Sequence, residues 1–66
     1  MKRTKLHEVK GTSTTGTPHG LLVERDDDKG VVLFTVVGAD GKKRHASVQI
    51  GFAEYYAMVK DMDSRF

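Results

Sequence analysis

The sequence predicts an α+β fold: a three- or four-stranded antiparallel β-meander with one C-terminal amphipathic helix packed on one face. Three observations point there. Residues 31–37 are β-branched and aromatic, and residues 44–50 alternate with a period of two, so both read as strands. Between them stand Asp40 and Gly41, a strong hairpin signal, because a two-residue type I′ turn needs positive φ at both positions. After Gly51 the period changes. Phe52, Tyr55 or Tyr56, Val59 and Met62 recur at three-to-four spacing, which makes an amphipathic helix.

Taken in order, residues 4–10 alternate weakly and make an optional fourth strand at the sheet edge. Residues 11–20, GTSTTGTPHG, hold three Gly, one Pro and five hydroxyl residues without apolar periodicity, and read as a loop. A short apolar strand follows over 21–25, and residues 26–30 close its hairpin. The chain is thus one domain over 1–66. Its parts are a basic arm or edge strand with a flexible loop (1–20), a meander (21–50) and a helix (51–64). Sixty-six residues bury only about 60% of their unfolded surface, enough for one thin core.

If Asp40 and Gly41 are the whole turn, the residue numbers of paired positions add to 81. Leu33 then lies opposite Val48, Val31 opposite Ile50, and Thr35 opposite Ala46. Together with Leu21 and Val23 they form the face on which the helix docks. The other face receives Leu22, Glu24, Val32, Phe34, Val36, His45, Ser47 and Gln49. A solvated face alternates to polar residues, and this one does not along its central strand. Val32, Phe34 and Val36 therefore call for cover: the N-terminal segment, a homodimer or other protein partner, or a ligand such as nucleic acid.

Charge favours the ligand. The net charge is only +2, yet residues 1–10 carry +3, residues 41–50 carry +3 and residues 21–30 carry −2. Lys2, Arg3 and Lys5 lie in the arm, and Lys42, Lys43 and Arg44 follow the predicted turn. With His45 and Ser47 beside Phe34, the face offers an aromatic to stack on and cations at its rim, as single-stranded nucleic-acid sites do. A basic hairpin also fits a duplex major groove.

The order of a three-strand meander, the run Asp40, Gly41, Lys42, Lys43, Arg44, a basic strand, then Gly51 and Phe52 before a helix resembles two related families. These are the arm-type DNA-binding domains of phage and transposon integrases and the plant ethylene-response-factor type of domain. The resemblance covers about residues 20–62. It implies DNA binding by the sheet face away from the helix. The chain departs from those families in having no Lys or Arg within residues 31–37 and a shorter junction between strand and helix. It is also similar to the single-stranded-DNA-binding transcriptional coactivator family, whose chain likewise ends in a strand running into an amphipathic helix.

Other chemistries lack their residues. Gly11 and Gly16 have phosphate-loop spacing, but Thr17 stands where the lysine belongs and Pro18 where the Mg²⁺ ligand belongs. His7, His19 and His45 are not at metal-ligand spacing. Asp26, Asp27 and Asp28 lack the alternation of a calcium loop and read as turn caps. Ser13, Ser47 and Ser64 have no recognisable base partner, and there is no Cys. The expectation is a small intracellular, cytoplasmic protein that is not an enzyme, needs no cofactor or metal, and binds nucleic acid, DNA foremost. The alternative is a protein-interaction or inhibitor module, phage-like in character, using the same face.

Overall fold

The computed structural model describes residues 3–66. Four strands, β1 (Arg3–Thr12), β2 (Pro18–Asp26), β3 (Val31–Gly38) and β4 (Arg44–Gly51), form one antiparallel sheet in the order β1-β2-β3-β4. Helix α1 (Phe52–Arg65) follows β4 without an intervening loop. The α+β meander with its C-terminal helix is as the sequence predicts, with the optional edge strand present. That strand is ten residues long, longer than its weak alternation announces.

Each turn has its own chemistry. Ser13 accepts the Gly16 N–H at 2.9 Å and donates its own to the Thr17 carbonyl at 2.7 Å, closing the β1–β2 loop. In the β2–β3 turn Asp26 Oδ1 accepts the N–H groups of Asp28 and Lys29 at 3.1 and 3.2 Å, the local bonding for which Asp is favoured in turns. Gly30 ends that turn at φ +68°, a conformation costly for any residue with a β-carbon. In the β3–β4 turn Gly41, at φ +73°, donates to the Gly38 carbonyl at 2.9 Å, and the Gly38 N–H donates to Lys43 O at 2.8 Å.

The β3–β4 register corrects the sequence reading. Val37 pairs with Arg44, the register a turn at Asp40 and Gly41 implies. One residue further the ladder shifts: Val36 pairs with Ala46, Thr35 with Ser47, Phe34 with Val48, and Val32 with Ile50. His45 is the extra residue of a β-bulge, so two residues of β4 oppose one of β3. Phe34 and Val48 therefore share a face, and the expected pairing of Leu33 with Val48 is wrong by one residue. Such a slip moves every side chain of β3 to the other side relative to β4.

The helix marks one face. Tyr55 packs against Phe34 with ring centroids 6.2 Å apart, and the Phe52 N–H donates to the Gly30 carbonyl at 3.2 Å. By alternation this helix face holds His7, Val9, Leu21, Val23, Val32, Phe34, Val36, Ala46, Val48 and Ile50. The open face holds Arg3, Lys5, Glu8, Lys10, Leu22, Glu24, Asp26, Val31, Leu33, Thr35, Val37, Arg44, Ser47 and Gln49.

The core sits on the open face. Leu22, Asp26, Leu33, Thr35 and Val37 are buried there, whereas among the described residues Val32 alone is buried on the helix face. No described element covers the open face, so the sheet must curl over it. A β-carbon placed at Gly41 in the β3–β4 turn would stand 3.5 Å from the Glu8 carboxylate of β1. The edges of the sheet thus approach one another across the buried row.

Candidate nucleic-acid interface

The curl gathers cations from distant parts of the chain. β1 supplies Arg3, Lys5 and Lys10 to the open face because a second bulge, between Lys5 and His7, keeps the basic residues in phase with β2. β4 supplies Arg44, and Lys42 and Lys43 stand at the rim, in the turn. Asp40 orders that turn by accepting the N–H groups of Lys42 at 2.9 Å and Lys43 at 3.3 Å. The Lys42 bond first, and then that of Lys43, hold the Asp40 carboxyl below its ordinary value.

Three acids temper the patch, one of them Asp26, which is buried opposite Arg3. Glu24, whose side chain is only 12% exposed, lies 3.4 Å from Arg44 and 4.0 Å from Arg3. It joins the two edges of the sheet electrostatically, and its burial makes it a stronger partner for them than a solvated carboxylate. Lys5 reaches Glu8 at 3.5 Å, an exposed pair of small energetic weight. Among the described residues, Lys10, Lys42 and Lys43 hold no carboxylate. They project their charge into solvent.

The residues expected at the interface divide accordingly. Arg3, Lys5, Arg44 and Ser47 share the open face, and Lys42 and Lys43 border it. Lys2 lies outside the described residues. Phe34 belongs to the other face, beneath Tyr55, so it has no surface for a base to stack on from the open side. His45, displaced by its bulge, meets His19 edge-on with centroids 5.0 Å apart on the helix face. Ser47 shares a hydrogen bond of 3.1 Å with the buried Thr35 hydroxyl, which occupies part of its bonding capacity. Of the row expected to need cover, Val32 and Phe34 are covered by the chain's own helix, and Val36 stays exposed.

Sequence reasoning missed Lys10 and the bridging Glu24. Lys10 is two residues from Glu8 on the same strand, so its phase follows once the β1 bulge is known. The open face combines cations, hydroxyls and an amide above an apolar floor, and among its described residues it has no aromatic side chain. That composition suits contact with phosphates rather than stacking. No three described His, Asp or Glu residues are grouped to hold a metal ion. No described helix is long and apolar enough to cross a membrane. No protein-family model, curated protein or solved structure matches the chain.

Proposed function

We propose that this protein is a small nucleic-acid-binding module, with DNA as its foremost target, which grips the phosphate backbone on the open face. One observation carries the reading. Cations separated by more than thirty positions, Arg3, Lys5 and Lys10 against Arg44, share the face opposite the helix, and Lys42 and Lys43 extend it. Contacts of this kind fix position without reading sequence. The module therefore binds strands of any sequence and owes its affinity to released counterions.

Fluorescence anisotropy with labelled single-stranded and duplex oligonucleotides tests this across a salt series. With six cations, three of them held by Glu24 or Glu8, about four phosphates are neutralised, and on a single strand log K falls against log[salt] with a slope of about −3. Replacing Lys10, Lys42 and Lys43 together by Ala flattens that slope by about 2, whatever the strand's sequence. If neither DNA nor RNA binds at about 50 mM salt, where backbone contacts are strongest, the reading fails.

A further inference from the structure

One copy of this chain is too open for its size. It exposes 5095 Å², whereas a folded monomer of 7.3 kDa exposes about 4,200 Å². Its radius of gyration is 12.8 Å, against about 11 Å for a compact chain of this length. The surplus of about 900 Å² is close to the roughly 800 Å² that each partner contributes to a standard interface.

Part of that exposed surface is apolar and lies on the helix face. α1 approaches β3 and β4 only, and none of its fourteen residues is buried. Phe52, Tyr55 and Met58 are half-buried, whereas Tyr56, Val59 and Met62, three residues apart on the neighbouring side, are exposed. On the sheet the cross-strand row Val9, Leu21 and Val36 is exposed as well. It borders a cavity of about 340 Å³ beside the β1–β2 loop. The row runs from β1 across β2 to Val36 of β3, and the chain's own helix reaches β3 but neither β1 nor β2.

We infer that a second copy of the chain closes this face. The Tyr56, Val59 and Met62 stripe of each protomer packs on the Val9, Leu21 and Val36 row of its partner. A two-fold axis makes the two contacts equivalent, as an isologous dimer requires. A second copy is favoured over a foreign partner because the chain carries both halves of the contact, an unpartnered stripe and an unpartnered row. The excess area is also close to what one such partner would bury. The interface leaves the open face outward on both protomers, so it stands independently of the nucleic-acid reading.

Sedimentation equilibrium and native mass spectrometry over a micromolar range test the inference. The expected mass is twice 7.3 kDa. Met62→Asp spoils the stripe and Val9→Asp spoils the row, and each raises the dimer dissociation constant about tenfold or more. Both positions are exposed, and circular dichroism confirms that the monomers stay folded. Mixing the two variants is the sharper measurement. Their heterodimer retains one undamaged contact, so it forms more tightly than either variant's homodimer. A wild-type monomer at every concentration overturns the inference and leaves the row to a different partner. So does a dimer indifferent to both substitutions, or a mixture that shows no gain.

Discussion

On the open face, Leu22, Leu33, Thr35 and Val37 are buried beneath charged side chains, although no described element lies over them. On the helix face only Val32 is buried among the described residues, although a fourteen-residue helix packs there. The difference separates two ways of burying a sheet. A curled sheet closes on its own inner row and brings its edges, here Arg3 and Arg44, within reach of one carboxylate. A helix laid on the other side protects only the strip it touches. The inner row therefore carries most of the stability, and the helix face carries the unfinished surface.

Leu33 against Val48 breaks or sharpens this contrast most. Leu33→Ala, at a position 6% exposed, is expected to cost about 2–4 kcal/mol in denaturant unfolding, a large share of the stability of so small a domain. Val48→Ala, at a position 64% exposed, is expected to stay within about 0.5 kcal/mol. Equal costs would mean that the helix face, not the curl, holds the core.

A smaller effect is expected at Glu24, the carboxylate shared by the two arginines. Glu24→Gln removes its charge and releases Arg3 and Arg44 to a bound strand. Oligonucleotide affinity at low salt should rise about three- to tenfold, and the salt slope should steepen by about 1. Weaker binding by this variant would place the bound strand somewhere other than the open face.

The smallest effect concerns the rim. The Asp40 carboxyl is held below 3.8 by the Lys42 and Lys43 amides. A carboxylate with a lowered pKa in the folded state adds stability above its unfolded value and loses it as pH falls through the folded one. The turn should therefore stay ordered through neutral and mildly acidic pH and loosen only below the ordinary aspartate value. The Lys42 and Lys43 amide signals in an NMR titration should move together, with a midpoint under that value. A midpoint at or above it would show that these bonds do not order the rim in solution.

Much of this architecture is legible in the sequence, and the failures have definite causes. The strand segments after residue 20, the change of period after Gly51 and the Asp40–Gly41 turn all appear in residue type and spacing. Even the register is right at Val37 and Arg44, next to the turn. What no pattern announces is the bulge at His45, since Ala46, Val48 and Ile50 alternate identically with it or without it. Nor does β3 reveal its phase. Val32, Phe34 and Val36 on one side and Val31, Leu33 and Val37 on the other are alike apolar, with Thr35 the one polar residue between them, as in a strand covered on both faces. The expectation that Phe34 lies on the nucleic-acid face thus rests on a phase the strand itself does not encode. Arg3 and Lys5, which precede the bulge in β1, and Arg44, which precedes the one at His45, reach that face through those shifts of phase.

The bulge at His45 also determines where β4 tolerates a change of length. Removing His45 leaves every ladder pair of β3 and β4 intact, because Arg44 and Ala46 already oppose the adjacent residues Val37 and Val36. With the bulge retained, removing one residue anywhere from 46 to 50 reverses the facing of everything after it. Since Phe52 begins the helix directly after Gly51, such a deletion would carry α1 to the far side of the sheet, into the space above Glu24. Of the positions in this strand, His45 is the one whose loss delivers the helix to the same side without changing any ladder pair.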